Sequence, residues 1–485
     1  MIGIRAYGGY VPRYRLKREL IYKAMGWINS ANIANSRGEK AVANFDEDSI
    51  TMAVAAGMDA LAGMDSSEIQ GVYFASTTMP YKERLNASII SAALGVNEHT
   101  STADFSGSLR AGTTALLSAL DCVGSKRLNT VLATAADCRL GKPASAQEMI
   151  FGDASAAFVV GDQNIIAEFK NSFSVTYDFG DHYRGAASTF DDQWEDRWIR
   201  DIGFDQILPE AVNGLLNKTG LKLTDFDKII YPCHYPTARN KLNKKLGISP
   251  EMEQANLQLE IGESGVPHSL VMLANALEDS KPGDKIMLIS YGSGSEALYF
   301  EITDNIMSYQ KNVGISWGLA NKANLDNYNK MLVWRNILAA DFGKRMEEDN
   351  WTRFSAMWRR RHLILGLYGG KCTKCGTPQM PAADICVNPK CGSVDSQVPY
   401  RFADKTGYIA SYTGDNLAAS LDPPAIYAQI EFDKGGKFMF DLTDCNLDDL
   451  SIGMPVKMSF RRKYYDSKRD ISGYFWKATP VKEAK

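Results

Sequence analysis

The sequence predicts an α/β layered domain followed by a small metal knuckle and an antiparallel barrel, and three observations carry that reading. Over roughly the first three hundred residues, short apolar strands alternate with helical segments. Four of the eight cysteines cluster between residues 372 and 391. From Gly407 onward, strands follow one another with no helix between them, the pattern of a small barrel.

Each element has its own justification. Residues 71–75 (Gly-Val-Tyr-Phe-Ala) read as a buried strand, and residues 86–94 as the helix after it. Residues 129–134, 228–232 and 284–290 repeat the strand pattern. Asp46-Glu47-Asp48-Ser49, just before the helical stretch 50–61, reads as an acidic cap and first turn matched to the helix dipole. Residues 305–367 are rich in Trp, Asn, Lys and Arg and read as the tail of the first domain followed by connecting helices. The basic run Met357-Trp358-Arg359-Arg360-Arg361-His362 is taken as a solvated helix face rather than a phosphate site. Residues 408–413, 425–430, 437–440 and 455–460 supply the barrel strands. The expected domains are 1–340, 341–400 (connecting helices and knuckle) and 401–485.

Composition excludes several classes of function. The chain has 485 residues, 45% of them hydrophobic and 23% charged, with a formal net charge of -3. So small a negative charge favours neither nucleic acid nor an anionic membrane as partner. No apolar run approaches the roughly 20 residues that span a bilayer. The start, Met1-Ile2-Gly3-Ile4-Arg5-Ala6, has no charged segment leading into an apolar one, so no signal peptide is expected. Scattered Cys122, Cys138, Cys233 and Cys445 suggest reduced thiols, and the cytoplasm is the expected compartment.

The clustered cysteines form Cys372-Thr373-Lys374-Cys375 and a second pair, Cys386 and Cys391, with four residues between them. Two such turns can bring four thiolates to about 2.3 Å from one zinc ion, and Gly376 and Gly392 suit the tight turns that follow. Four thiolates leave no position for water, which makes the expected zinc structural.

Residues 1 to about 340 resemble prokaryotic hydroxymethylglutaryl-CoA synthases and, more distantly, type III ketoacyl synthases. The resemblance runs through the stretches 3–15 and 45–53, Ala136-Asp137, Gly152-Asp153-Ala154-Ser155, and residues 281–294. Residues 355–480 resemble a thiolase-associated zinc-ribbon and OB module, through the four cysteines, residues 407–413 and Ile452-Gly453-Met454-Pro455-Val456. The resemblance implies a thiolase fold (layered α-β-α-β-α), a rubredoxin-like zinc ribbon and an OB-fold β-barrel. It also implies a CoA thioester as substrate and a homodimer.

The departures from the family pattern are as informative as the matches. Where the family has a cysteine nucleophile at the head of a buried helix, the frame reads Asp104-Phe105-Ser106-Gly107-Ser108-Leu109-Arg110-Ala111-Gly112-Thr113, so the nucleophile's position falls on Leu109. The acid/base glutamate falls on Thr77, and the later asparagine on Glu263. The histidine persists as His234. Ser108 is set aside as a substitute because adjacent helical side chains diverge by about 100 degrees. Cys233 is set aside because strand neighbours face opposite sides.

A covalent cysteine serves reactions that hold an acyl group between two half-reactions, whereas aldol and retro-aldol steps need only a base and an enolate-stabilising donor. His234 and Glu263 are the candidate catalytic pair, each with a bland alternative: a core histidine and an ion-paired carboxylate. His268 is read as either a site residue or a structural one, with the balance toward structure. Gly292, Ser293 and Gly294 are the candidate cofactor-binding turn, or a turn and nothing more. Three functions stay open: an acyl-CoA lyase or aldolase, a non-catalytic subunit supporting a thiolase-type partner, and a condensing acyltransferase (transferase) of the synthase type.

Overall fold

Strands that are apolar along their whole length can only be central, covered on both faces. Three strands of the large sheet are buried at every residue, β2, β4 and β5 below. The computed structural model describes residues 1–310, 313–342, 351–418 and 420–481. The chain packs as two units. Met1–Ala43, Asp48–Ile90 and Asn97–Met331 form the first; Asn44–Glu47, Ser91–Val96 and Leu332–Lys485 form the second.

The first unit is built on β1 (Gly3–Tyr10), β2 (Gly71–Ala75), β3 (Ser101–Phe105), β4 (Thr130–Asp137), β5 (Ala154–Gly161), β6 (Ala167–Thr176), β7 (Lys228–Ile230), β8 (Lys285–Tyr291) and β9 (Gly294–Ile302). Their order is β7-β8-β9-β6-β1-β5-β4-β2-β3. The sheet joins two halves, because β1 and β6 pair only at Gly3–Glu168 and Ile4–Ala167. The halves share one scheme. β2 runs parallel to β4, which is antiparallel to β5, which is antiparallel to β1. β7, β8, β9 and β6 repeat those relations in the same sequence. No sequence repeat announces this duplication.

Among the helices, α1 (Ser49–Ala60), α2 (Asn86–Leu94), α3 (Ala111–Gly124) and α4 (His268–Glu278) matter most. α3 precedes the hairpin β4–β5, and α4 precedes β8–β9. α4 is almost wholly buried and α3 mostly so, and they share one hydrophobic core with residues of both sheet halves, the arrangement of a layered thiolase fold. α1 starts at Ser49 with Asp48 as its cap. The Asp48 carboxylate accepts from the Thr51 N–H at 2.9 Å, while Thr51 Oγ1 accepts from the Asp48 N–H at 2.8 Å. The expected acidic first turn is corrected here, since no acidic residue lies in it. Asp46 and Glu47 instead belong to the second unit, where burial demands cations: both pair with Arg461, and Asp46 also with Lys477 at 3.0 Å.

The second unit opens with short helices at Phe354–Arg359 and Arg361–Ile364, neither of which buries a residue. The basic run lies on them, its Arg361 stacked on exposed Trp358. Part of the expected connecting region, residues 343–350, lies outside the described residues. Then come β10 (Tyr368–Cys372), β11 (Pro378–Gln379) and β12 (Gln397–Arg401), which form a three-stranded ribbon. β13 (Gly407–Asp415), β14 (Ala425–Phe432), β15 (Lys437–Asp441), β16 (Pro455–Asp466) and β17 (Ile471–Pro480) pair in the order β15-β14-β13-β16-β17. Leu442, just past one edge strand, bridges to Ala478 on the other, which closes the sheet into an OB-type barrel. Inside are Trp476, Phe440, Val456 and Ile430. No helix among the described residues is long and apolar enough to cross a membrane.

Candidate functional site

The elements of the first unit converge on one cavity of about 50 Å³. The turn before α3 contributes Leu109, the end of β4 Arg139, the segment after β7 Cys233 and His234, the approach to α4 Glu263 and Gly265, and the end of β8 Ser290 and Tyr291. Phe151 and the hairpin at His182 and Gln193 add to the wall, together with Asp181, Ile199, Phe204 and Tyr235. His234 and Glu263, far apart in sequence, therefore share one space.

Glu263 is held by close backbone packing. Its N–H donates to Ile150 O at 2.7 Å, and its carbonyl accepts from the Gly152 N–H at 3.0 Å. Gly152 permits this, since a Cβ there would lie 1.7 Å from Ile261 O. The carboxylate accepts from the Gly265 N–H at 3.1 Å and from the Gln258 amide at 2.7 Å. Burial works against its charge, but His268, His234, Arg139 and the Gly265 N–H outweigh burial and hold the carboxyl below its ordinary range. Removal from water lowers the His234 pKa to about 4, only partly opposed by Glu263 and Asp196. At neutral pH the cavity thus holds an ionised carboxylate and a neutral imidazole.

His268 is fully buried and does not line the cavity. Its Nδ1 accepts from the Ser264 N–H at 3.1 Å, and its Nε2 donates to Asn256 O at 2.9 Å. Those partners orient the ring and fasten the loop that carries Glu263.

The two positions that the resemblance pairs with the family's nucleophile and acid/base glutamate carry no ionisable side chain. Leu109 lines the cavity with hydrocarbon. Thr77 donates its hydroxyl and N–H to Asp137 at 3.0 and 2.8 Å. Asp137 also accepts from Ser76, Thr78 and the Val266 N–H, so it ties the end of β2 to the start of α4. The helical argument used for Ser108 does not apply, because α3 begins only at Ala111. Ser108 Oγ is instead engaged in a 2.7 Å hydrogen bond to Gly292 O. The strand argument for Cys233 is also corrected. β7 ends at Ile230, so alternation has lapsed and Cys233 lines the cavity beside His234. Burial, however, pushes its thiol up to about 12, which leaves almost no thiolate.

Gly292, Ser293 and Gly294 form the tight β8–β9 turn, with Ser293 at φ +48°. None of the three lines the cavity. The turn packs on the residues leading into α3, where a Cβ at Gly292 would lie 2.9 Å from the Leu109 nitrogen.

Sequence reasoning missed Arg139, Asp181, His182 and Gln258. Arg139 sits two residues beyond the family-like Ala136-Asp137, and His182 lies in a hairpin without periodicity. The scarcity of histidine was the available signal: of five in the chain, His182, His234 and His268 gather around this site.

In the second unit the four cysteines come together, their Sγ atoms all within 4.8 Å of one another. Cys372 and Cys391 are 3.9 Å apart, Cys375 and Cys386 3.5 Å. A tetrahedron with Zn–S bonds of about 2.3 Å has edges of about 3.8 Å, so the set fits one zinc ion. Gly376 and Gly392 take φ of +75° and +54° in the turns after each pair.

Known proteins agree with this anatomy. Residues 366–395 match the family model described as the ChsH2 rubredoxin-like zinc ribbon domain, and residues 400–461 the ChsH2 C-terminal OB-fold domain. The hydroxymethylglutaryl-CoA synthase of Caldivirga maquilingensis is 32% identical over 347 residues, covering 70% of this chain and 98% of that protein. That of Methanopyrus kandleri is 32% identical over 313 residues, covering 63% and 89%. A crystal structure of an HMG-CoA synthase complexed with CoA superposes with a TM-score of 0.61 at 20% identity, covering 72% of this chain and 95% of that one. Over its first unit, this chain belongs to the hydroxymethylglutaryl-CoA synthase family.

Proposed function

We propose that this protein makes or breaks a carbon–carbon bond in a short-chain β-hydroxyacyl-CoA by aldol or retro-aldol chemistry, without an acylated enzyme. The observation that carries the reading is that Leu109 occupies the nucleophile's place in a cavity whose other wall presents an ionised Glu263 and a neutral His234. In the cleavage direction Glu263 takes the proton of the β-hydroxyl. The Cα–Cβ bond breaks, the β-carbon becomes a carbonyl, and the electron pair enters the thioester enolate. His234, neutral and able to donate an N–H, stabilises that enolate oxygen until Cα is reprotonated. A cavity of about 50 Å³ suits a short acyl group. A zinc ion held by Cys372, Cys375, Cys386 and Cys391 would supply only a structural cross-link, since four thiolates leave no open position.

Kinship favours a second reading, a condensing acyltransferase like the relatives. That chemistry needs a nucleophile, and the one thiol lining the cavity, Cys233, is held protonated by burial, while Ser108 Oγ is bonded to Gly292 O and Ser290 Oγ to Thr113. A third role, a non-catalytic subunit of a thiolase-type partner, accords with the altered family positions. A homodimer is the assembly expected of the family.

Purified protein incubated with β-hydroxyacyl-CoA thioesters tests all three. The expected result is a ketone or aldehyde plus a shorter acyl-CoA, with no acyl adduct on the intact polypeptide by mass spectrometry. A covalent adduct during turnover supports the acyltransferase and ends the aldol proposal. Activity only with a co-purified thiolase supports the subunit role.

A further inference from the structure

We infer that Arg139 is a substrate-binding group of this cavity, its Nη1 donating to the β-oxygen of the acyl chain and so selecting oxygenated thioesters over plain hydrocarbon ones. The inference rests on the acyl-CoA reading above.

The Arg139 side chain is completely buried, and its orientation is fixed on three sides. Nε donates to Asp191 at 2.7 Å, Nη2 donates to His182 Nε2, and the guanidinium lies 3.9 Å over the Phe151 ring. Nη1 has no hydrogen-bond partner among the described residues. A buried charged group with an unmade donor is costly, and a ligand oxygen would relieve that cost on binding. Nη1 lies on the Gly265 side, 3.4 Å from where a Cβ at that glycine would sit, and Gly265, Glu263 and Arg139 line the same cavity. The same guanidinium acts on the Glu263 carboxylate, the group proposed to take the β-hydroxyl proton, and helps to hold it ionised.

Charge balance decides what kind of oxygen fits. Arg139 and Arg184 share Asp191, which leaves one positive charge, and ionised Glu263 cancels it. Asp181, its carboxyl raised by burial to about 6, adds further negative character at neutral pH. No spare positive charge remains to hold a ligand carboxylate. A neutral hydroxyl or carbonyl oxygen suits the donor, gaining charge only as the bond breaks, when a guanidinium is most effective. His182 cannot substitute at Nε2, because that nitrogen accepts from Arg139.

Calorimetric titration of the full-length protein with CoA, butyryl-CoA and β-hydroxybutyryl-CoA tests this. The wild type is expected to bind the hydroxy thioester at least about tenfold more tightly than butyryl-CoA, the strength of a hydrogen bond to a charged group. Arg139→Gln should abolish that preference while keeping affinity for butyryl-CoA, and Arg139→Lys should restore part of it. A purely structural role would lower the melting temperature and leave the preference intact, which overturns the inference. Equal binding of the two thioesters by the wild type also overturns it, with the acyl-CoA reading left standing, and needs no variant to fold. If the wild type binds none of the three CoA compounds, the underlying reading fails and takes this one with it.

Discussion

The cysteine knuckle and the cavity place opposite demands on a sequence. The knuckle needs one residue type at four positions spanning residues 372–391, and its geometry is imposed by the ion's own radius and coordination. The cavity draws Leu109, Arg139, His182, His234 and Glu263 from five separate segments, and nothing fixes which residue types stand there except the reaction itself. The metal site is therefore legible from local spacing, while the cavity is not. Fold relatedness is accordingly a strong guide to architecture and a weak one to chemistry.

Removing the metal is the strongest way to test the first half of that comparison. Cys375→Ala, or treatment with a chelator, is expected to unfold the zinc ribbon. Apparent zinc binding in comparable small modules is worth about 10–16 kcal/mol. Metal analysis should find one zinc per chain before treatment and none after; an unshifted melting curve on loss of metal would sink the structural assignment.

Glu263→Gln probes the other half. It keeps the shape and the Gly265 hydrogen bond but removes the base, so turnover should fall roughly 10²–10⁴-fold with little change in KM. Because Glu263 is ionised well into acid and His234 titrates near 4, the wild-type rate should show no limb near pH 6.5. A limb there, lost in His234→Gln, would reassign the base to His234.

A smaller effect concerns stability. Between about pH 6.5 and 4 the unfolded chain protonates His234 and the folded one does not, so this group makes stability fall as pH falls through that window. Asp181, raised to about 6, acts in the opposite sense, since its folded form holds a proton that the unfolded form has lost. The difference in melting temperature between wild type and His234→Gln isolates the histidine and should narrow or reverse toward pH 4. A constant difference across pH would contradict the lowered pKa. The smallest expected effect is Asp48→Ala, which removes the α1 cap at about 1 kcal/mol, measurable by denaturant titration with activity unchanged.

By itself the sequence determined whatever rests on local spacing: the zinc knuckle, the strands near 71–75 and 425–430, the helix Asn86–Leu94 and an acidic cap just before residue 50. Tertiary structure alone decided that Cys233 and His234 face one space, because the strand ends early and alternation stops with it. It also decided that Asp46 and Glu47 serve buried cations rather than a helix dipole, and that Arg139 joins the cavity. The physical reason is range: spacing and periodicity constrain neighbours along the chain, whereas burial, pKa and an unmade hydrogen bond are set by groups that only folding brings together.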